Sequence, residues 1–233
     1  MESLGKERTL ALYGEEALQK LSSAHVALFG LGGVGGYALE ILTRAGIGEL
    51  TLVDADSFEP SNLNRQILAT RKTLSCKKAE VARQRVLEIF PETIVHPYSL
   101  FFSEDTVDEF DFSSFDFVLD AIDSVSSKLL LIQTCLEHHV PVISCMGAGN
   151  KEHPERFVVG DIYSTKGDPL AKVMRKLSKE RNLPSYPVVY SEEPPLTPVH
   201  PVDNNPRTPA SNPFAPASAG ILLATYAIQK LMK

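Results

Sequence analysis

The sequence predicts an α/β fold in which a mostly parallel central sheet carries helices on both faces. Two observations lead to this prediction. Short apolar runs typical of buried strands alternate with helical segments along the first 150 residues, and a glycine loop joins the first such strand to the helix after it. The length of 233 residues suits one domain. We therefore treat 1–233 as a single domain with a first part, 24–150, and a second part, 151–233.

The elements of the first part follow from hydrophobic periodicity and from glycine and proline breaks. A first helix over 6–21 is expected to break at Gly14, and Gly46 is expected to end the helix after the glycine loop. Pro91 ends the helix that follows the second strand. The predicted strands are 25–29, 49–53, 93–98, 115–121 and 140–145, and the predicted later helices are 35–44, 77–90 and 126–138.

The second part predicts a mixed or antiparallel extension of the sheet. Strands are expected at 156–162 and 186–190, separated by a helix that opens with Asp168 as cap and Pro169 in its first turn. Residues 191–216 contain eight of the sixteen prolines, which predicts a long, mobile crossover loop. The apolar run 217–228 is too short to span a bilayer, so we expect a core helix and no membrane segment.

The charge distribution argues against general nucleic-acid binding, because the net charge is −6. Two segments nevertheless concentrate cations. Residues 65–85 hold seven Lys/Arg against one acid, and 166–181 hold six against two. Each segment is either a solvated helix face or a local surface for a polyanion. In the second segment the candidate residues are Lys172, Arg175 and Lys176.

The cysteines and the N-terminus favour a cytoplasmic protein. Cys76, Cys135 and Cys145 are odd in number and widely spaced, which argues against a disulfide framework and excludes a four-cysteine zinc site. Cys135 and Cys145 are expected to pack in the core, while Cys76 has two lysines beside it that could lower its pKa. The N-terminus has no long apolar core of a secretory signal.

The glycine loop, which contains Gly30, Gly32, Gly33 and Gly35, indicates a Rossmann-like phosphate site. Gly30 allows a tight turn, Gly32 lets the backbone approach a phosphate, and Gly35 lets the next helix pack against the strand. The N-terminus of that helix then offers N–H groups and partial positive charge. The pattern predicts a nucleotide without choosing which one.

Polar residues after the second strand point to a triphosphate. Asp54 stands where a carboxylate meets ribose hydroxyls, and Asp56 is either a nucleotide contact or a turn residue. The run Asn62-Leu63-Asn64-Arg65-Gln66 then supplies amides and a guanidinium suited to phosphate. Lys78 opens a helix, where a cation opposes the helix dipole unless an anion lies nearby.

Asp123 follows a strand expected to end beside the glycine loop. One carboxylate near phosphates suits Mg²⁺, which keeps few protein oxygens and takes phosphate and water as its other ligands. The same residue could instead cap the helix that starts near Val125. Both roles are compatible.

Motifs in sequence order carry a family resemblance. GLGGVG, LVDADSFEPSNLNRQ, KKAEVARQR and VLDAIDSVSSK resemble the ubiquitin-activating-type adenylating enzymes. ISCMGAGNK, DIYSTKGDPLAKVMRKL and VVYSEEPP resemble the tRNA threonylcarbamoyladenosine dehydratases within that superfamily. The resemblance runs over about residues 8–231. The chain departs from the common pattern at its short N-terminus, at Ser75-Cys76, at Ser211-Asn212-Pro213-Phe214 and in its proline-rich loop.

The resemblance implies ATP-dependent adenylation of a carboxylate in tRNA, followed by cyclisation with net loss of water. It also implies a homodimer, in which Arg8 reaches the partner's nucleotide, and leaves a sulfur-transfer protein as a possible partner. Asp54 would bind ribose, and Asp123 would hold Mg²⁺. Arg65, Lys78 and Asp123 are the expected catalytic residues; the expected nucleotide contacts are Arg8, Gly30, Gly32, Gly33, Gly35, Asp54, Asp56, Asn62, Arg65, Gln66 and Lys78.

Three alternatives remain at this level. An activator of a ubiquitin-like sulfur carrier would share the ATP site, although the paired zinc cysteines of such enzymes are missing. A nicotinamide-dependent oxidoreductase would explain the glycine loop and Asp54, but not Arg65, Lys78 and Asp123 together. A nucleotide-sensing module would bind ATP without turning it over.

Overall fold

The computed structural model describes residues 5–202 and 208–233. These residues form one seven-stranded sheet, whose strands are β1 His25–Phe29, β2 Glu49–Val53, β3 Ile94–Tyr98, β4 Phe117–Asp120, β5 Val142–Cys145, β6 Phe157–Asp161 and β7 Pro187–Ser191. The strand order is β3-β2-β1-β4-β5-β7-β6. All neighbouring strands pair in parallel except β6, which runs antiparallel to β7 at the edge. The predicted mixed sheet is confirmed.

Six α-helices accompany the sheet within the described residues. Gly14 (φ 81°) kinks the first of them, and Gly46 (φ 88°) caps the second in the left-handed region, both as predicted. Asp168 caps the fifth by accepting a hydrogen bond from Ala171 N at 2.8 Å. Their bounds are α1 Glu7–Ser23, α2 Gly35–Ala45, α3 Lys78–Ile89, α4 Val125–Glu137, α5 Pro169–Glu180 and α6 Ala215–Leu231.

The core lies on both faces of the sheet, because successive residues of a buried strand point in opposite directions. Leu28 of β1 packs with α2, α3 and α6 on one face. Phe29 packs on the other face in an aromatic cluster with Phe102, Phe110 and Phe112. Helices α4 and α5 cover the remainder of that second face.

The C-terminal helix α6 packs tightly against the start of α2. A methyl group added at Gly220 would come within 2.2 Å of Val34 O, so only glycine permits this approach. The predicted core helix is thereby confirmed, with Ala219, Leu223 and Ala224 fully buried. Within the described ranges, no helix is both long and apolar enough to cross a bilayer.

Three details differ from the sequence-based expectation. Strand β4 begins at Phe117 rather than Phe115, because Phe115 joins the aromatic cluster and the Asp116 carboxylate accepts the His25 N–H at 2.8 Å. Val173, placed on the apolar stripe of α5, is 44% exposed. The predicted crossover loop partly overlaps regular structure, because β7 ends at Ser191 and α6 begins at Ala215; residues 203–207 of that loop lie outside the described residues.

Candidate nucleotide site at the carboxyl edge of the sheet

The strand order reverses between β1 and β4, and their carboxyl ends form the edge where open α/β sheets bind ligands. The glycine loop follows β1, Asp54 follows β2, and Asp123 stands three residues beyond β4. Since parallel strands end at the same edge, the fold brings these predicted residues together. The site is built on strand ends, with loops supplying the side chains.

At two positions of the glycine loop the backbone packs so closely that only glycine fits. Gly30 has φ 90°, and a methyl group there would lie 2.5 Å from Ala121 O. At Gly35 a methyl group would lie 1.8 Å from Gly30 O. At Gly32, in contrast, the nearest atom to an added methyl group would be Gln66 Nε2 at 3.8 Å, so there is space on that side of the loop. No side chain among the described residues caps α2, which leaves its N-terminus available to an anion.

Asp54 is tied to the glycine loop by hydrogen bonds. Its Oδ2 accepts from Leu31 N at 2.7 Å, and its Oδ1 accepts from Asp56 N at 2.9 Å. Burial raises the pKa of Asp54, with Lys78 and the two backbone donors opposing that rise. The carboxylate is therefore positioned, before any ligand binds, at the place expected for a ribose contact.

Lys78 lies in the same cluster. Its Nζ is 2.8 Å from Asp56 Oδ2 and 3.8 Å from Asp54 Oδ1, and its side chain is 7% exposed. A cation at the start of α3 opposes the helix dipole, and the carboxylates of Asp54 and Asp56 compensate its charge. The position of Lys78 is therefore explained without a bound phosphate. Asp56 itself is largely solvent-exposed, so the Lys78 ammonium lies close to solvent at this edge.

Some residues of the run 62–66 stabilise the local turn, and others lie near the glycine loop. The side chain of Asn62 is buried and Oδ1 accepts from Glu59 N at 3.1 Å, which closes a 3₁₀ turn over Pro60–Asn62. Arg65 donates through Nη1 to Ser61 O and to Asn64 Oδ1. Among the residues of this run, Arg65 and the buried Gln66 lie nearest the glycine loop.

Gln66 carries an unsatisfied acceptor. Its Oε1 is buried and has no hydrogen-bond partner among the described residues. Buried polar atoms are rarely left unpaired without a functional or solvent partner. The Gln66 atom beside Gly32 is the donor Nε2 rather than this acceptor, and a donor at that position is consistent with the predicted nucleotide contact.

Asp123 is exposed, and the alternative role as a helix cap does not hold for it. The N-cap of α4 is Ser124, and no side-chain cap bond is present there. Within the described residues the Asp123 carboxylate accepts no hydrogen bond. It is therefore a carboxylate held beside the glycine loop by the 121–123 segment.

A buried ion pair that we did not predict holds this segment. Asp120 and Lys128 are both fully buried, with Nζ and Oδ2 at 3.0 Å. Lys128 also donates to Ile122 O at 2.8 Å, Asp120 Oδ1 accepts from Ile122 N at 3.0 Å, and Ser144 Oγ donates to Asp120 Oδ2 at 2.5 Å. The signal was a lysine inside the apolar face of a predicted helix.

The described parts of the proline-rich loop are held by the segment after β5. Asn150 N donates to Ala210 O at 2.8 Å and Leu196 N donates to Asn150 O at 2.8 Å, so one residue fastens both described arms of the proline-rich loop. Asn64 Nδ2 donates to Ser211 O at 3.2 Å. The loop is therefore tied to the run 62–66 as well as to the end of β5.

A second unpredicted cluster lies beneath that loop. The ammonium of Lys151 is buried and donates to the carbonyls of Ser191 and Glu193, and burial lowers its pKa. The Glu193 carboxylate accepts from the backbone N–H groups of Glu152 and His153. Burial raises the pKa of Asp168, which lies against Gly147. These contacts hold the start of the loop against the end of β5.

The basic face of α5 is only partly free. Arg175 donates through Nη1 to the carbonyl and the hydroxyl of Thr165, both at 2.6 Å, so it has a structural role. Lys172 and Lys176 are exposed, and Lys176 forms a loose pair with Glu180 at 3.7 Å. The surface available to a polyanion is therefore Lys172 and Lys176 rather than the predicted triplet.

Two further predictions concern the N-terminus and the cysteines. Arg8 is exposed on α1 and forms no hydrogen bond or ion pair among the described residues of this single chain. Cys135 and Cys145 are buried as predicted, and burial raises the pKa of the Cys145 thiol to about 12. Cys76 is exposed.

Comparison with known proteins agrees with the motifs. The model of the ThiF family matches residues 5–232. The tRNA threonylcarbamoyladenosine dehydratase of Bacillus subtilis is 36% identical over 232 residues, which cover 94% of this chain and 91% of that protein.

Solved structures extend this similarity to the fold. The E. coli tRNA N6-threonylcarbamoyladenosine dehydratase, TcdA, is 33% identical, and the alignment covers 99% of this chain and 94% of that chain. The TM-score is 0.92 for its complex with AMP and 0.90 for its complex with ATP. The chain therefore belongs to the ThiF family, in the branch that contains the tRNA threonylcarbamoyladenosine dehydratases.

Proposed function

We propose that this protein is an ATP-dependent dehydratase that cyclises threonylcarbamoyladenosine in tRNA by adenylating its carboxylate. The observation that carries the proposal is the meeting of the glycine loop, Asp54, Lys78 and Asp123 at one sheet edge. Nearly full-length similarity to relatives bearing that enzyme name supports the choice of substrate.

ATP would lie with its phosphates over the glycine loop and its ribose on Asp54. The open side at Gly32 and the uncapped start of α2 suit a phosphate, because backbone N–H groups there have no competing side chain. Lys78 lies within reach of the same edge, and Arg65 lies over Gly33. Asn62 supports the turn that carries Arg65.

Mg²⁺ fits the residues present at Asp123. One exposed carboxylate without a hydrogen bond among the described residues is what a phosphate-bound magnesium ion takes from a protein. When bound, the ion would neutralise charge on the phosphates. Asp120 is fully engaged by Lys128 and Ser144, so it is not a second ligand.

The reaction would proceed in two steps, adenylation and cyclisation. The threonyl carboxylate oxygen attacks the α-phosphorus and pyrophosphate leaves, giving an acyl adenylate. The carbamoyl oxygen then attacks the acyl carbon, AMP leaves, and the carbamoyl nitrogen loses a proton, so the substrate has lost the elements of water. Negative charge grows on the departing pyrophosphate, and the cations Arg65 and Lys78 stabilise it more in the transition state than in the ground state.

Assembly and partners follow from the same proposal. A homodimer would bring Arg8 of one subunit to the nucleotide of the other, since Arg8 has no partner among the described residues of its own chain. A sulfur-transfer protein would be a further partner. A tRNA-modifying enzyme acts in the cytoplasm, which is the proposed location.

The test is a nucleoside mass analysis. Purified protein with ATP, Mg²⁺ and tRNA containing threonylcarbamoyladenosine should yield a nucleoside lighter by one water, with AMP and pyrophosphate released in step. Asp123→Ala should abolish turnover while the melting temperature stays close to the parent value, and Asp108→Ala, which removes an exposed carboxylate elsewhere, should leave turnover intact.

Two outcomes would contradict the proposal. An unchanged nucleoside mass, from protein that binds ATP, would remove the assigned substrate. Pyrophosphate exchange stimulated by a small protein ending in Gly-Gly would instead favour the sulfur-carrier alternative.

The tRNA surface has its own test. Lys172→Glu with Lys176→Glu should weaken tRNA binding several-fold and reduce the salt dependence of log K by about one for each lost phosphate contact. Lys230→Glu with Lys233→Glu, an equal charge change on two exposed lysines at the end of α6 and just after it, is the matched control. Equal tRNA binding by all three proteins in filter-binding titrations would make the α5 face a solvated surface only.

A further inference from the structure

Three side chains with metal-ligating atoms meet where the amino ends of β1 and β2 lie beside the middle of β3. The atoms offered by His25, Glu49 and His96 all lie within 4.8 Å of one another. The parallel register pairs His25 with Glu49, and Thr51 with His96, which places all four side chains on one face of the sheet. This is the edge opposite the glycine loop, about 15 Å away along β1.

We propose that His25, Glu49 and His96 bind a divalent transition-metal ion of the zinc class. Two imidazoles and a carboxylate are a donor set that zinc prefers, whereas magnesium is bound by oxygen ligands. The proposal does not depend on the nucleotide site, because no residue is shared between the two edges.

The distances are close to those of a metal site. His96 Nε2 is 2.8 Å and His25 Nδ1 is 3.6 Å from Glu49 Oε1. Zinc bonds of about 2.0–2.2 Å in tetrahedral geometry separate the ligand atoms by roughly 3.4 Å. The two Glu49 distances therefore differ from that separation by about half an ångström or less, whereas the two imidazole nitrogens, which lie within 4.8 Å of each other, would have to approach by up to about 1.4 Å.

The surroundings of His25 suit a ligand. Its Nε2 lies 2.9 Å from Thr51 Oγ1, and donation to that hydroxyl leaves Nδ1 with a lone pair facing Glu49. The Phe115 ring packs edge-on at 4.9 Å and fixes the imidazole plane. The Ser114 carbonyl is a competing acceptor for this ring, and a bond to it requires an N–H that a metal-binding Nδ1 does not carry, so the ion must displace that bond.

A cavity supplies access and an open coordination position. It has a volume of about 250 Å³ and is lined by residues that include His25, Thr51, His96, Tyr98, Glu109 and Asp111. Three protein ligands leave the fourth position of a tetrahedral ion for water. The Glu49 and His96 side chains are 34% and 42% exposed, so an ion can enter without unfolding of the strands.

The experiment uses the full-length chain stripped of metal, without nucleotide, carrying Cys76→Ser so that the exposed thiol cannot bind the probe. Zn²⁺ is titrated against a chromophoric chelator, and Co²⁺ absorption reports coordination geometry. We expect one equivalent bound, tetrahedral Co²⁺ bands, and affinity at least about 100-fold weaker in Glu49→Gln and in His96→Asn.

The matched control is His153→Asn, which removes a histidine paired with one carboxylate, Glu155, at 3.0 Å but with no second imidazole beside it among the described residues. Its Zn²⁺ affinity should equal that of the parent. Circular dichroism of the metal-free variants confirms that they are folded. Parent affinity no tighter than that of His96→Asn, or an equal loss in His153→Asn, would leave a hydrogen-bond network only and overturn the proposal.

Discussion

Two lysine–aspartate pairs lie at the carboxyl edge of the sheet and differ in their exposure to solvent. Lys78 reaches Asp54 and Asp56 after β2, and the Asp56 side chain is 69% exposed. Lys128 reaches Asp120 at the end of β4, and both side chains are 0% exposed. The first pair can exchange a carboxylate for a ligand, whereas the second is sealed and already satisfied.

This difference assigns the two lysines different work. A buried ion pair has lost its hydration and is stable only while both partners and their hydrogen bonds remain. Lys128 and Asp120 therefore fix the backbone of Ile122, next to Asp123, and act as positioning residues. Lys78 keeps access to solvent on the Asp56 side, which suits a residue that contacts phosphate.

The largest expected effect comes from breaking the sealed pair. Lys128→Met leaves Asp120 buried with its charge uncompensated, so the free energy of unfolding should fall by about 3–5 kcal/mol. Lys176→Met, which removes an exposed pair at 3.7 Å, should change it by less than about 0.5 kcal/mol. Urea denaturation measures both. Similar losses in the two variants would mean that sealing the pair adds nothing.

Removing the lysine of the open pair should affect activity more than stability. Lys78→Met should lower kcat for adenylation about 10²–10³-fold, because a cation that stabilises transition-state charge is lost. It should destabilise the protein less than Lys128→Met does, because Asp56 stays solvated and only Asp54 loses a cation while buried. Lys77→Met is the control, since Lys77 is exposed and donates to Ala55 O at 2.9 Å. A variant of Lys78 that keeps full turnover would show that this lysine only neutralises Asp54 and Asp56.

The smallest effect is a pH dependence centred on Asp54. Burial raises its pKa above 3.8 in the folded state, so its contribution to stability is fully present below pH 3.8 and is lost as pH rises through the raised pKa. Nucleotide binding runs the other way, because ribose hydroxyls need the ionised carboxylate. The stability difference can change by at most about 1.4 kcal/mol per pH unit.

The measurement compares the parent with Asp54→Asn between pH 4 and pH 7. On acidification the parent should gain stability relative to the variant and lose affinity for a non-hydrolysable ATP analogue. Parallel pH curves for the two proteins would place the titration elsewhere.

Sequence reasoning predicted the order and type of the strands and α-helices correctly because each depends on local features. Hydrophobic periodicity marks β1, β2 and β4, and Gly46, Pro91 and the Asp168 cap mark helix ends. The carboxyl ends of parallel strands must share one edge, so the meeting of the glycine loop, Asp54 and Asp123 could also be predicted. Val173 was misplaced because α5 buries a narrower stripe than its apolar residues suggest.

Contacts between distant segments were beyond local pattern. The division of the run 62–66, in which Asn62 closes a turn while Gln66 faces the loop, depends on side-chain direction inside a compact bend. The structural role of Arg175 depends on Thr165, ten residues earlier. In both cases the residue types are the same whether the side chain has a structural role or contacts a ligand, so the sequence could not distinguish the two roles.

The amino-acid sequence by itself determined the α/β fold, the glycine loop and the family, since these reside in short motifs and in periodicities that act over neighbouring residues. Only the tertiary structure decided which lysine–aspartate pair is sealed, what fastens the proline-rich loop, and that His25, Glu49 and His96 meet. Burial and electrostatic pairing depend on strand order and register, which join residues far apart in the chain.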